Sequence, residues 1–131
     1  MPPELGRVIT GRRVFTQADF DRFAALSGDD NPIHVDPEFA STTKFGSTVA
    51  HGMLLYGVIC ALIGEHYPGS IQLEQRMMFL APNFTGEEIT TRAEIVEINE
   101  DDRQMKLSVL MTAGGGKVVC DGETTLLWRE S

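Results

Sequence analysis

Between Gly52 and Gly64 the chain runs for 13 residues without a charge, through Met53, Leu54, Leu55, Tyr56, Val58, Ile59, Cys60, Ala61, Leu62 and Ile63. Crossing a bilayer takes roughly 20 such residues, so this run reads as a helix of a protein core. Being apolar almost all round, it demands a wrapper on most of its sides. Gly57 and Gly64 lie seven apart, on one side, where a sheet backbone or a ligand can come close.

The wrapper is legible downstream, where period-two alternation replaces helical spacing from Ser70 onward. Ile71, Leu73, Gln75, Met77 and Phe79 predict one face of a strand that Pro82 ends. Between Glu87 and Asn99 the apolar set Ile89, Ala93 and Ile95 gives way to Val96 and Ile98, a slip of phase that predicts a β-bulge. Met105, Leu107, Val109, Met111 and Ala113 form the clearest alternation, and Gly114-Gly115-Gly116 follows as a hairpin connection. Val118, Cys120, Gly122, Thr124, Leu126 and Trp128 predict one face of the last strand.

Upstream, Arg7 to Phe15 reads as a short strand, and Thr16 with Asp19 as a helix start. That helix is predicted to reach about Leu26, to bury Phe20, Phe23, Ala24, Ala25 and Leu26, and to end at Ser27-Gly28. A second, short helix begins at Asp36-Pro37-Glu38 and ends near Thr43. The whole describes an α+β domain over residues 1–131, in which a curved antiparallel sheet encloses one apolar helix.

Charge and cysteine usage narrow the function classes. Eleven Lys and Arg against 19 Asp and Glu give a net charge of −8, which sets the chain against nucleic acid and anionic membranes as partners. Cys60 and Cys120 have neither metal nor redox spacing and are expected as buried small hydrophobes in a reducing compartment. Met1 to Leu5 lacks the order of a signal peptide, so cytoplasmic residence is the expectation. A chain of 131 residues is short for a deep pocket within one copy, which points to a dimer.

Chemistry concentrates in Ser27-Gly28-Asp29-Asp30-Asn31-Pro32-Ile33-His34-Val35-Asp36 and in His51-Gly52-Met53. Asp29 and His34 are expected on an irregular loop, and Asn31-Pro32 stiffens the backbone between them. The Gly52 N–H, at the start of the apolar helix, suits a developing oxyanion. Asn31 orients the loop or the carboxylate, or is simply a turn residue. His51 is expected to orient the loop rather than to react, and His66, at a helix C-terminus, to be structural. No metal site is expected.

The run Phe23-Ala24-Ala25-Leu26-Ser27-Gly28-Asp29-Asp30-Asn31-Pro32-Ile33-His34-Val35-Asp36, followed by Ala50-His51-Gly52-Met53-Leu54, resembles the hydratase 2 motif of the MaoC-like (R)-specific enoyl-CoA hydratases. The resemblance implies a hotdog fold, a homodimer, and syn addition of water to a trans-2-enoyl-CoA. Asp29 and His34 would hold the water as catalytic residues, and the Gly52 N–H would bind the thioester oxygen. Relatives can carry a serine where Cys60 stands here, and a thiol is the weaker donor. The acyl chain would run along the helix, with Tyr56, Leu62 and Ile63 as candidate pocket walls. Lys44, Arg76, Arg103 and Lys117 are candidates, by sign alone, for the coenzyme A phosphates. No cofactor is implied, because coenzyme A is part of the substrate. The alternatives are a dehydratase or hydratase of branched, dicarboxylic or carrier-protein-bound acyl thioesters, an acyl-CoA thioesterase, and a non-catalytic hotdog subunit.

Overall fold

In the computed structural model, residues 3–129 are described. The order is β1 (Val8–Arg13), α1 (Gln17–Ser27), α2 (Pro32–Val35), α3 (Pro37–Ser41), α4 (Gly52–His66), β2 (Ile71–Phe79), β3 (Ile89–Asn99), β4 (Gln104–Ala113) and β5 (Lys117–Leu127). The strands form one antiparallel sheet in the order β1-β3-β4-β5-β2. It packs on α4, as the hotdog expectation requires.

The alternation in β4 translates directly into packing. Met105, Leu107, Val109, Met111 and Ala113 are all buried, since β4 is paired on both edges and one of its faces meets the core. Each large side chain so buried contributes about 1.5–3 kcal/mol relative to exposure. The bulge expected in β3 falls at Val96, where the register shifts between Ile95 and Glu97 and brings Ile98 back toward the core. The three glycines before β5 form a tight 3-10 turn, with Gly115 and Gly116 at positive φ.

Two further bulges correct the strand faces read from spacing. In β2 the register shifts between Gln72 and Glu74, so Ile71 and Leu73 are exposed while Gln75 and Met77 turn inward. In β5 a shift opposite Met111 and Thr112 places Val119, not Val118, in the core beside Cys120. Gly122 is obligatory, because a Cβ there would run into the Arg76 carbonyl and Met77 on β2.

The helices depart from expectation in one consistent way: each buries a narrower stripe. In α1 only Phe20 and Ala24 are buried, and Leu26 is 88% exposed. The start of α1 is as expected, with Thr16 and Asp19 exchanging bonds in a capping box, and Gly28 at φ 83° ends it. In α4 the sheet covers Leu55, Ile59, Leu62 and Ile63, whereas Met53, Gly57, Ala61 and Gly64 face outward. The expected all-round wrapper is therefore absent within one copy, because one sheet covers one side of a helix. Neither Gly57 nor Gly64 has a neighbour near its Cβ direction; the close approach is at Gly11 of β1, against Leu62.

Candidate active site

His34 does not sit on an irregular loop. Asn31 accepts from the Ile33 N–H through its side chain, Pro32 supplies the preset φ, and together they start the one-turn helix α2 that carries His34. Asn31 is thus a helix cap, and its backbone N–H also points at the Asp29 carboxylate, 3.4 Å away. The Ser27 hydroxyl holds the other side of the turn by accepting from the Asp29 N–H at 3.1 Å.

These segments bring Asp29, His34 and His51 together, with one carboxylate oxygen and one nitrogen from each ring within 4.8 Å of one another. His34 is buried, and its Nδ1 is 2.7 Å from the Val49 carbonyl. A carbonyl only accepts, so Nδ1 carries the proton and the neutral ring keeps its lone pair on Nε2. His51 is 1% exposed and its Nε2 donates to the Asp29 carbonyl at 2.9 Å, which leaves Nδ1 buried without a partner among the described residues. The two imidazoles stack at 3.8 Å and 23°. Burial, aided by the neighbouring His34, holds the His51 pKa below its ordinary value of 6.5, against the bond to Asp29, which favours the proton.

Ligand atoms this close raise the question of a metal. In-plane lone pairs on two rings 3.8 Å apart and 23° from parallel do not converge at a point about 2 Å from both, the distance a zinc ion requires. The arrangement suits a shared proton or water better than a chelate.

Beside His34 opens a cleft of 370 Å³, whose lining joins Ile33, His34, Val49 and Ala50 to Gly52 and Leu55 of α4 and to Phe79, Leu80, Pro82 and Asn83. Among the described residues nothing accepts from the Gly52 N–H, which sits at the N-terminus of α4. Glycine is needed there for a second reason: a Cβ would stand 3.1–3.3 Å from the Phe79 ring.

The other residues singled out by spacing and resemblance scatter over the fold. Tyr56 is half-buried, its hydroxyl donates to Gln72 at 2.7 Å, and burial with the nearby Cys60 thiol raises its pKa. Cys60 is half-buried rather than buried, and Cys120 is buried with its thiol pushed up to about 11 by desolvation. Leu62 and Ile63 belong to the sheet-facing core and not to the cleft wall, because α4 turns that side toward β1 and its neighbours. His66 bonds the Leu62 carbonyl one turn back, as a helix-end residue does. Of the four cations, only Lys44 lines the cleft. Lys117 is paired with Glu87, Arg76 with Glu123, and Arg103 lies in the β3–β4 turn at φ 54°.

Sequence reading missed Gln17. Its amide donates to the His34 carbonyl at 2.9 Å and accepts from the Thr48 hydroxyl at 2.6 Å, tying α1 to both site segments. It missed Phe23 as a support for His51, whose ring lies 4.7 Å away, and Phe79 to Asn83 as a cleft wall. A glutamine at a helix start carries no local signal for such a role.

Residues 3–114 match the family model described as MaoC like domain. The chain belongs to the MaoC-like family. An (R)-specific enoyl-CoA hydratase of Aeromonas caviae is 38% identical over 94% of this chain and 93% of its own length. A mitochondrial 3-hydroxyacyl-[acyl-carrier-protein] dehydratase of Arabidopsis thaliana is 32% identical over 95% of this chain and 76% of its own. Among solved structures, the (R)-hydratase from A. caviae superposes with a TM-score of 0.93 at 36% identity, covering 97% of this chain and 98% of that one. An R-hydratase from Pseudomonas aeruginosa gives 0.92 at 32% identity, covering 98% and 84%. The MaoC-like hotdog fold is thereby confirmed for this chain.

Proposed function

We propose that this MaoC-like chain is an (R)-specific enoyl-CoA hydratase, adding water reversibly to a trans-2-enoyl-CoA to give an (R)-3-hydroxyacyl-CoA. The observation that carries this is the meeting of the Asp29 carboxylate with the His34 ring at a cleft that also contains the Gly52 N–H. In hydration, water attacks the β-carbon, negative charge grows on the thioester oxygen, and a proton reaches the α-carbon. The Asp29 carboxylate and the His34 Nε2 lone pair hold one water between them and move its proton. The Gly52 N–H, at the positive end of the α4 dipole, receives the thioester oxygen. Asn31 and His51 keep this pair in place, Asn31 through the α2 cap and His51 through the Asp29 carbonyl.

On this reading the substrate brings its own coenzyme A and no cofactor takes part. Lys44 is the cation placed to meet a phosphate at the cleft. The working unit is a homodimer. β2 is a sheet edge with Ile71, Leu73, Met78 and Phe79 exposed, and Phe79 also lines the cleft, so a second copy pairing there would border the acyl path. Two free cysteines fit cytoplasmic residence, and no helix among the described residues is long and apolar enough to cross a membrane.

The test is to add the protein to crotonyl-CoA and follow the ultraviolet absorbance of the conjugated thioester, with chiral analysis of the product. Loss of conjugation with the (R) product supports the reading. Free thiol released without hydration would instead indicate a thioesterase.

A further inference from the structure

The Val49 carbonyl that holds the His34 ring belongs to a segment, Thr48 to His51, with little secondary structure of its own. Its register comes from two sides: the Val49 N–H donates to the Ile33 carbonyl of α2 at 3.1 Å, and the other contacts come from the segment around Asn83. Val49 forms an isolated antiparallel bridge with Phe84, and the Ala50 N–H donates to the Asn83 carbonyl at 2.9 Å. The segment around Asn83 is in turn clamped by two charged side chains that line no part of the cleft.

Lys117, at the start of β5, donates from Nζ to the Pro82 carbonyl at 2.7 Å and pairs with both Glu87 carboxylate oxygens at 3.0 and 3.1 Å. Glu87 Oε1 also accepts from the Phe84 N–H and from the Asn83 side-chain amide, each at 3.3 Å. The same amide donates to the Glu87 carbonyl at 3.3 Å, and the Lys117 ammonium lies 5.0 Å from the centre of the Phe84 ring. Both charged side chains are about three-quarters covered, which gives their bonds more direction than an exposed pair has.

We infer that Lys117 and Glu87 are positioning residues for the hydration step: by locking Pro82 to Phe84 they set the register of Val49, and so the tautomer and angle of His34. The inference rests on the hydratase reading for its kinetic part only. Loosening the clamp leaves Asp29, His34 and Gly52 present but lets the ring turn away from Val49, and small misplacements of a reacting group remove large factors in rate.

The experiment uses the full chain with Lys117→Met, Glu87→Gln and the conservative Lys117→Arg. Lys117→Met and Glu87→Gln are expected to lower kcat for crotonyl-CoA by about 10- to 100-fold with KM within about twofold, while Lys117→Arg recovers most of the rate. Long-range proton–nitrogen NMR of His34 reads the mechanism without any substrate: one Nδ1–H tautomer in the wild type, mixed tautomers in Lys117→Met. If Lys117→Met does not fold, Lys117→Gln replaces it, keeping a donor for the Pro82 carbonyl without the charge. A folded variant with unchanged kcat and an unchanged His34 spectrum overturns the inference. So does a rate loss that only follows the melting temperature while the tautomer stays fixed. A wild type inactive on crotonyl-CoA would overturn the hydratase reading alone, because the tautomer comparison would still stand.

Discussion

The polar cluster of Asp29, His34 and His51, which meets the cleft through His34, and the apolar wall of the cleft at Phe79 and Leu80 differ in how far a single chain completes them. In the polar cluster His34 is held by Val49, His51 by Asp29, and Gln17 and Thr48 tie the two segments to α1. On the apolar wall Phe79 and Leu80 are 44% and 54% exposed, on or just past an edge strand with a single neighbour. Met53, on the outward side of α4, is likewise 60% exposed. The polar cluster is thus set within one chain, while the apolar surface beside the cleft is left uncovered by it, as the proposed homodimer requires.

Removing the proposed catalytic members of the polar cluster is the most severe way to separate the two. Asp29→Asn and His34→Ala are each expected to lower kcat for crotonyl-CoA by about 10²- to 10⁴-fold with the melting temperature near that of the wild type. Full activity in either variant would take that residue out of the mechanism. Next, Ile63→Ala is expected to destabilise the fold by about 2–5 kcal/mol in urea titration while leaving the acyl-length preference unchanged. Leu55→Ala, which lines the cleft as well as packing in the core, should also cost stability but in addition shift that preference toward longer thioesters. The reverse pattern would move the acyl path from the Phe79 side into the sheet-facing core.

The apolar wall is tested by Leu73→Lys combined with Met78→Lys, which places charge on the exposed part of β2. If the proposed homodimer pairs through β2, sedimentation should report dimer for the wild type and monomer for this variant, with KM for longer thioesters raised several-fold. Unaltered mass would place the interface elsewhere. The smallest expected effect is a pH dependence from the polar cluster. His51 keeps a folded pKa below 6.5, so as pH falls through that value the unfolded chain takes up a proton before the folded one does. Stability should drop between about pH 7 and about pH 5, and the drop should be smaller in His51→Gln when urea midpoints are compared at both values.

Much of the site was legible because its parts are local. Asp29, Asn31, Pro32 and His34 lie within one turn-rich stretch whose capping rules can be read residue by residue, and the Gly52 N–H follows from where the apolar run begins. Lys44 was visible only as a charge until the fold separated it from Arg76, Arg103 and Lys117. The contact of Gln17 with His34, that of Phe79 with Gly52 and the pairing of Lys117 with Glu87 had no local signal, since each joins residues at least 17 positions apart.

While the one-turn helix α2 reads as loop, the sequence by itself determined the strands, the longer helices, their order and the candidate site residues, because helical and strand periods, caps and glycine turns act over a few residues. The β3 bulge was readable for the same reason, as a break in one strand's own alternation. Only the tertiary structure decided which side of α4 is buried, that Leu62 and Ile63 are core, and that β2 and β5 slip register. Those outcomes depend on which surfaces one sheet can reach. An apolar residue in the core and one left for a partner are alike in sequence, and only the packing between distant segments distinguishes them.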